Sequence, residues 1–217
     1  MLGGVKRLNT FGGYSDQNRA LADAVAPACG RGQQASIYIL AGVGLDLRDY
    51  IRDVPDFPKE GIVFKDLTPL LLAPTAFDDA VTRLGAIARP LDVELIVAAE
   101  ARGFIFGGAL ARELGVGFVP ARKAGKLPHE TVGVEYGLEY GVDQLQMHAD
   151  AIAGGRRVLV HDDLLATGGT AKAKVDLVER LGGEVVGCAF VVELTFLAGR
   201  QTLAGYEVHS LVRYDEP

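Results

Sequence analysis

The chain has 217 residues, of which 49% are hydrophobic, so it is long enough for one domain with a buried core. A formal net charge of −6 argues against broad binding to nucleic acid or to a membrane surface. Cys29 and Cys188 lie too far apart for a metal motif, and no apolar segment is long enough to span a membrane. These properties predict a soluble cytoplasmic protein, with no nucleic acid and no membrane among its partners.

Residues 1–44 differ in composition from the rest of the chain, with paired glycines and only short apolar runs. This composition predicts a flexible N-terminal extension. The segment 30–35 matches the dinucleotide fingerprint G-x-G-x-x-A, but Pro27 stands where the preceding strand would run, and no acid follows at the required distance. We therefore expect no dinucleotide site there and assign the folded domain to residues 45–217.

The folded domain is predicted to begin with short elements. A short helix is expected over residues 45–51, turns over 54–61, where two prolines and a glycine break any period, and an extended segment over 62–66. The spacing of Thr and Asp at 75–78 resembles a capping box. Apolar residues at helical spacing then predict a helix that runs to about Arg89.

Strands and helices alternate from residue 93 onward, a rhythm typical of a parallel sheet with right-handed crossovers. Apolar runs predict strands at 93–98, 116–120, 157–160, 185–192 and, at an edge, 206–214. Helical patterns end at Gly115 and at the glycine pair 182–183. The predicted fold class is α/β, with an open, mostly parallel twisted sheet and helices on both faces.

Residues 121–142 interrupt this alternation with basic side chains and three glycines. We predict a long, mobile loop there, followed by a hairpin strand over the alternating residues 144–148. A long charged insertion between core strands is more often functional than accidental, so we expect the loop to face a ligand.

The stretch 158–170 carries the strongest chemical signal in the chain. An apolar strand meets Asp162 and Asp163, and a Gly-rich turn then opens a helix, where unpartnered N–H groups and the helix dipole favour a phosphate. The turn lacks the lysine of a P-loop, which favours a phosphate monoester over a nucleoside triphosphate. Two carboxylates beside a phosphate are expected to face sugar hydroxyls, the water shell of a divalent metal, or positive charge that develops on a sugar carbon.

A second anion site is expected at residues 99–103, where Arg102 stands at the start of another predicted helix. Three basic residues of the insertion add to this site: Arg122, Lys123 and Lys126. All three loops follow the carboxyl ends of strands, where ligands bind in open α/β sheets. Two anion sites with two acids between them indicate a substrate with phosphates at both ends of a sugar.

The stretch 158–170 resembles the phosphoribosyl-diphosphate (PRPP) signature of the type I phosphoribosyltransferases, in the form found in the adenine phosphoribosyltransferase branch. Four further segments agree with that branch in order: 56–66, 100–104, 122–128 and 138–141. The resemblance spans roughly residues 45–215. It implies the type I phosphoribosyltransferase fold and the Mg²⁺-dependent reaction of adenine with PRPP to AMP and pyrophosphate, through an oxocarbenium-like transition state.

The resemblance also implies a role for each candidate residue. Asp162 and Asp163 would bind the ribose hydroxyls and favour positive charge on the sugar. The 5′-phosphate would lie against Ala166, Thr167, Gly168, Gly169 and Thr170. The pyrophosphate would meet Arg102, Arg122, Lys123, Lys126 and Tyr136. Adenine would stack near Phe64 and be read by backbone groups of Val63 and Lys65, within a small hood of residues 50–66.

Other implied features concern proton transfer, metal and assembly. Glu135 or Glu139 would assist proton movement at adenine N7, while the 121–142 loop would close over the site and exclude water. Mg²⁺ would bridge pyrophosphate and ribose oxygens without direct protein ligands. A homodimer is expected, since the Arg122-Lys123 segment of this family can reach across a dimer interface.

His161 departs from the signature, which usually has an aliphatic strand residue at that position. Its side chain should point away from Asp162, as a core or interface residue. Two other functions remain open: a PRPP-sensing regulator without enzymatic activity, and a phosphoribosyltransferase for another purine base. The acidic chain and its short extension argue against a DNA-binding regulator.

Overall fold

Nine strands and five α-helices make up the part of the chain that the computed structural model describes, residues 45–138, 141–152 and 154–217. The strands are β1 (Arg52–Pro55), β2 (Val63–Asp66), β3 (Leu95–Ala99), β4 (Gly117–Lys123), β5 (Thr131–Leu138), β6 (Gly141–His148), β7 (Arg157–Leu165), β8 (Glu184–Leu194) and β9 (Val208–Tyr214). The helices are α1 (Thr68–Leu72), α2 (Pro74–Ala88), α3 (Arg102–Leu114), α4 (Gly169–Arg180) and α5 (Gly199–Thr202). A 3₁₀ turn at Leu47–Tyr50 stands where the first short helix was predicted.

The main sheet has seven strands in the order β5-β6-β4-β3-β7-β8-β9. The last five of these run parallel, whereas β6 lies antiparallel to both β4 and β5. From β3 the chain first crosses to β4 on one side and later to β7 on the other side. The boundary between β3 and β7 is therefore a topological switch point, which is where open α/β sheets bind ligands. The predicted open, mostly parallel sheet is confirmed.

Helices cover both faces of this sheet, as predicted. Successive residues of a strand point to opposite faces. Val158 and Val160 accordingly pack with α4 and the β5–β6 hairpin, whereas Leu159 packs with α1, α2 and α3. All three side chains are fully buried. Because each such side chain stabilises the fold by about 1.5–3 kcal/mol, the two packed layers hold the carboxyl end of β7 in a fixed position.

The two adjacent acids were predicted to follow the strand, but they lie inside it. β7 continues to Leu165 because it pairs with β8 over its whole length, from Arg157 opposite Glu184 to Leu165 opposite Glu193. The turn between β7 and α4 is correspondingly short, residues 166–168.

The predicted loop over residues 121–142 is wrong for most of its length. β4 extends to Lys123, and residues 131–138 form β5, which pairs with β6 as far as Leu138 opposite Gly141. The alternation of Val132, Val134 and Tyr136 supports this strand, since these side chains pack in the core layer that contains α4. The glycines and charges between them obscured the period in the sequence. The hairpin strand predicted at 144–148 is confirmed as part of β6.

Two further local predictions need correction. β1 includes Pro55, where turns were predicted; a two-stranded sheet tolerates proline because its edges need no further pairing. α2 begins at Pro74 after the N-cap residue Ala73, so Thr75 lies inside the first turn and does not cap it. The predicted end of α3 is confirmed, with Gly115 in the left-handed region at φ +71°.

β1 and β2 pair antiparallel and form the regular part of the hood. Lys65 of β2 is buried, pairs with Asp53 at 2.9 Å, and places its Nζ 4.3 Å from the ring centroid of Tyr214 in β9. The hood is thereby attached to the last strand of the main sheet. Residues 1–44, assigned to an extension, lie outside the described residues. None of the described helices has the length and apolar character needed to cross a membrane.

Candidate active site

The candidate site lies where the carboxyl ends of β3, β4 and β7 meet. β3 is hydrogen-bonded to both of the other strands, with Ala98 opposite His161 and Ala99 opposite Ala121. This register places the segment after β3, the end of β4 and the acids of β7 side by side. The predicted convergence of the three segments is therefore confirmed.

Asp162 and Asp163 point to opposite sides of β7, and each meets a different cation. Asp162 Oδ2 accepts a hydrogen bond from Lys174 Nζ at 2.6 Å, and Lys174 belongs to α4. Asp163 Oδ2 accepts from Arg102 Nε at 2.5 Å, and Arg102 is the first residue of α3. The two carboxylates are joined through the Asp163 N–H, which donates to Asp162 Oδ1 at 3.1 Å.

The environment of Asp163 is less polar than that of an ordinary surface carboxylate. Its side chain is only 8% exposed, whereas that of Arg102 is 46% exposed. Burial and the neighbouring charge of Asp162 raise the pKa of Asp163, and Arg102 opposes this rise. A cationic centre placed next to Asp163 would therefore be stabilised in a partly dehydrated pocket.

Gly103 allows the first turn of α3 to approach Asp162 closely. A Cβ atom at this position would collide with Oδ1 of Asp162. The start of α3, with its free backbone N–H groups, consequently lies beside the acids. This contact brings a helix N-terminus suited to anions next to the two carboxylates.

The turn between β7 and α4 is the predicted phosphate loop. Gly168 has φ +88° and precedes the helix, which begins at Gly169 and Thr170. A Cβ on Gly168 would lie 2.7 Å from the carbonyl oxygen of Gly199. Both the backbone conformation and the close approach therefore require glycine here.

Helix α5 supports this loop from behind. The Thr202 hydroxyl donates to the carbonyl oxygen of Thr167 at 2.8 Å, and Gly199 packs against the carbonyl of Ala166. Arg200 ties α5 to β8, because its Nη2 lies 2.8 Å from Oε2 of the buried Glu193. We did not predict these supporting residues from the sequence, since they lie about thirty positions after the loop.

The second predicted anion site is built around Glu100. Arg122 donates to Glu100 Oε2 at 2.7 Å, and the backbone N–H of Lys123 donates to Glu100 Oε1 at 3.0 Å. The peptide bond between Glu100 and Ala101 is cis. Lys123 Nζ pairs with Asp143 at 2.7 Å, and this contact raises the pKa of Lys123. Lys126 is exposed and contributes its carbonyl oxygen, which accepts from Arg122.

The β5–β6 hairpin borders the phosphate loop. Tyr136 interacts with the Thr170 side chain; burial raises the pKa of Tyr136, and the contact with Thr170 opposes the rise. Glu135 is exposed and lies on the opposite face of β5 from Val134 and Tyr136. Glu139, the alternative proton-transfer residue, lies outside the described residues.

The hood presents an aromatic surface on the other side of Arg102 from Asp163. Phe64 and Phe57 form an edge-to-face pair with centroids 5.2 Å apart. The guanidinium of Arg102 lies 5.4 Å from the Phe64 centroid, so one residue connects the aromatic ring to Asp163. Val63 and Lys65 flank Phe64 in β2, and the Lys65 side chain is already engaged by Asp53 and Tyr214.

His161 is a fully buried core residue that faces α3. Its ring lies near Phe106, with centroids 6.4 Å apart, and near Gly107. Its contact with the backbone of Ala189 does not reach hydrogen-bond geometry, so neither ring nitrogen has such a partner among the described residues. Burial, and then the charge of Lys174, lower the pKa of His161 to about 3. The expected orientation away from Asp162 agrees with this position.

A divalent cation at this site would have few protein ligands. Within the described ranges, no three His, Cys, Asp or Glu side chains come together in a way that would hold a metal ion. Asp162 and Asp163 each already have a cationic neighbour. This donor set fits a hard ion bound mainly by substrate oxygens and water.

Comparisons with known proteins agree with this geometry. Residues 79–204 match the phosphoribosyl transferase domain family. An adenine phosphoribosyltransferase of Pseudothermotoga lettingae is 55% identical over 170 residues, which cover 78% of this chain and all of that protein. The crystal structure of the adenine phosphoribosyltransferase from Thermoanaerobacter pseudethanolicus superposes with a TM-score of 0.76 at 53% identity, covering 78% of this chain and 98% of that one.

The adenine phosphoribosyl transferase from Trypanosoma brucei is less similar, and its crystal structure was solved in complex with AMP, pyrophosphate and ribose-5-phosphate. It is 27% identical and superposes with a TM-score of 0.71, covering 78% of this chain and 80% of that one. The family match covers more than half of the chain, and the close relatives are matched over their full length. The chain therefore belongs to the phosphoribosyl transferase family and, within it, to the adenine phosphoribosyltransferases.

Proposed function

We propose that the site described above carries out the purine salvage reaction of this family, in which adenine and PRPP form AMP and pyrophosphate. The observation that carries the proposal is the position of Asp162 and Asp163 between two anion sites, the 166–170 loop and the start of α3. In the reaction a bond forms between adenine N9 and C1′ of the ribose. The bond between C1′ and the pyrophosphate oxygen breaks, and the base loses one proton.

The 5′-phosphate is assigned to the loop formed by Ala166, Thr167, Gly168, Gly169 and Thr170. Its backbone N–H groups and the positive end of the α4 dipole attract the phosphate without a lysine. The supports from α5 keep the loop in the geometry that accepts the ligand. Fixing this end of the substrate places the ribose over the carboxyl end of β7.

Asp162 and Asp163 are assigned to the ribose. Their oxygens accept hydrogen bonds from the 2′- and 3′-hydroxyls, and their negative charge stabilises the cationic ribosyl group in the transition state. Since Asp163 is buried, its effect on that charge is stronger than it would be in water. Both residues act by position and charge and do not form a bond to the sugar.

The pyrophosphate is assigned to the start of α3 and to five side chains: Arg102, Arg122, Lys123, Lys126 and Tyr136. The negative charge on the leaving group grows as the C1′–O bond breaks, and positive groups placed there stabilise it. Arg102 has the most direct role, because it can exchange Asp163 for a phosphate oxygen while it stays over Phe64.

Adenine is assigned to the space under the hood, stacked near Phe64 and read by backbone groups of Val63 and Lys65. Glu135 or Glu139 is proposed to assist proton movement at adenine N7, in the case of Glu135 through water, because its side chain is on the exposed face of β5, opposite Tyr136. The β5–β6 hairpin takes the covering role that was expected of a loop. Its cover over the site would exclude water, which otherwise hydrolyses PRPP.

Mg²⁺ is part of this proposal as an ion that would bind beside Asp162 and Asp163, held mainly by the substrate and by water, with no direct protein ligand. When bound, it supplies charge neutralisation for the departing pyrophosphate. We also propose a homodimer, because the Arg-Lys segment at 122–123 can reach across a dimer interface in the family that this chain resembles, and a cytoplasmic location.

The test is a pyrophosphate-release assay with PRPP, Mg²⁺ and one base at a time: adenine, hypoxanthine, guanine or xanthine. We expect release with adenine, and formation of AMP by chromatography. Release with another base only would assign the chain to a different purine specificity. Binding of PRPP without release for any base would favour the non-enzymatic sensor. Gel filtration with light scattering tests the homodimer in the same samples.

A further inference from the structure

Lys174 is the one fully buried lysine side chain in the described part of the chain. It lies on α4 between Ala171 and Val178, on the face that packs against the sheet. An aliphatic side chain would fill this position at lower cost, because burying an ammonium group is expensive unless its hydrogen bonds are satisfied. A buried charge at such a position needs a reason other than packing.

The ammonium group of Lys174 has two oxygen partners. Nζ lies 2.6 Å from Asp162 Oδ2 and 2.6 Å from the backbone carbonyl oxygen of His161. Both partners belong to the carboxyl end of β7, directly before Asp163. Lys174 therefore binds both the backbone carbonyl of His161 and the side chain of Asp162.

The two acids of the site thus have cations of different mobility. Arg102, the partner of Asp163, is about half exposed and can turn toward a ligand. Lys174 has no exposed surface and its stem is packed in the core, so it cannot follow a ligand. Asp162 Oδ2 is consequently engaged by Lys174. Oδ1 accepts one hydrogen bond, from the Asp163 N–H at 3.1 Å, and keeps a second lone pair for a substrate hydroxyl.

We propose that Lys174 is a positioning residue of the reaction, which fixes Asp162 in one orientation so that the remaining lone pair of its Oδ1 meets the ribose. This inference rests on the proposed function, because it needs Asp162 to contact the sugar of PRPP. Lys174 itself touches no substrate, since its side chain has no exposed surface.

If Lys174 acts through Asp162, its effect on catalysis should depend on the Asp162 carboxylate, whereas a general effect on folding would not. When Asp162 has lost its charge, removal of the lysine charge should have little further effect on catalysis. The appropriate experiment is a double-mutant cycle with Lys174→Met, Asp162→Asn and the double variant, assayed in the full-length protein. Lys172→Met is the matched control, because Lys172 is on the same helix and pairs only with Asp176 at the surface among its described ion pairs.

We expect Lys174→Met to lower kcat/KM for PRPP by about tenfold, the value of one charge-assisted hydrogen bond, while the KM for adenine stays unchanged. In the Asp162→Asn background the same substitution should change kcat/KM for PRPP by less than about twofold. Lys172→Met should leave both constants unchanged.

Equal falls in the two backgrounds, or an unchanged kcat/KM in Lys174→Met, would overturn the positioning role. If Lys174→Met does not fold, Lys174→Gln replaces it in the same two backgrounds. The shorter, uncharged amide loses the charge-assisted hydrogen bond to Asp162, so kcat/KM for PRPP should again fall, but by less than about twofold in the Asp162→Asn background. Loss of the proposed function is a separate outcome, since the unsubstituted protein would then release no pyrophosphate with any base.

Discussion

The side chain of Arg102 contacts both Asp163 and Phe64: its Nε donates to the carboxylate at 2.5 Å, and its guanidinium carbon lies 5.4 Å from the ring centroid. One residue at the start of α3 thereby links the acid proposed to face the ribose with the ring proposed to face adenine. In the proposed complex, Arg102 would therefore lie next to both the base and the sugar. It also means that a ligand that attracts Arg102 changes the surroundings of both.

Substitution of Asp163 by Asn tests the role of the buried carboxylate. The change keeps the shape and removes the charge that would stabilise the cationic ribosyl group, so we expect kcat to fall by roughly 100-fold or more. Steady-state AMP formation measures the effect, and circular dichroism checks the fold. Asp176→Asn, at the surface of α4, serves as the control with unchanged kcat. A kcat for Asp163→Asn close to that of the unsubstituted protein would refute the role.

Gly168→Ala tests the phosphate loop. Gly168 has φ +88°, and an added Cβ would lie 2.7 Å from the carbonyl oxygen of Gly199, so the loop has to move. We expect the KM for PRPP to rise by about tenfold or more, since a displaced loop loses hydrogen bonds to the 5′-phosphate.

Gly205→Ala is the matched control for that substitution. Gly205 also has a positive φ, +95°, but no atom of the described residues lies within 4 Å of a Cβ there. Both variants carry the same kind of backbone strain, about 1 kcal/mol or more, but only Gly168→Ala adds a collision with Gly199. A rise in the KM for PRPP that is equal in both variants would show that the loop contact does not matter.

His161→Val tests the buried histidine through the pH dependence of stability. The pKa of His161 is about 3 in the folded chain, against an ordinary value of 6.5. Below about pH 6.5 the unfolded chain therefore binds a proton that the folded chain does not, and the free energy of unfolding falls by up to about 1.4 kcal/mol per pH unit.

The valine variant lacks this contribution. Urea unfolding at about pH 7 and about pH 5 should show a loss of stability that is about 2 kcal/mol smaller in His161→Val than in the unsubstituted protein. An identical loss in both proteins would mean that the ring becomes protonated in the folded state as well. Activity at neutral pH should be unchanged, because the His161 carbonyl that binds Lys174 is retained.

Removal of residues 1–44 tests the predicted domain boundary. We expect a chain that begins at residue 45 to keep its kcat and both KM values, because every residue assigned to the candidate site lies after that point. The full length of the Pseudothermotoga lettingae relative is also matched by 78% of this chain. Assays of both forms under the same conditions give the answer, and loss of activity in the shorter form would assign a role to the extension.

The parts of the site that sequence reasoning found are those whose chemistry is local. Asp162, Asp163 and the glycine turn are neighbours in the chain, and a helix that begins directly after a turn has an anion-binding end wherever it packs. Strands with continuous apolar runs, such as β8, were found for a similar reason: that composition at strand length is typical of a strand buried on both faces.

The parts that were missed depend on partners far apart in the chain. The support of Thr167 by Thr202 crosses 35 positions, and the contact of Arg102 with Asp163 crosses 61. The hairpin strand β5 was missed because its pairing with β6, and the packing of Val134 on α4, outweigh a local composition rich in glycine and charge. Lys174 had a weak signal, as a charged residue at helical spacing from the apolar residues Ala171 and Val178.

The amino-acid sequence by itself determined the α/β class, the phosphate loop and the pair of acids, because hydrophobic periodicity and helix-terminal N–H groups act over a few residues. The tertiary structure alone decided that the two acids point to opposite sides of β7. It also decided that one of them is held by the buried Lys174 and the other by the half-exposed Arg102. The physical reason is that the surroundings of a charge depend on which elements pack around it, and that packing is a property of the whole sheet and its helices.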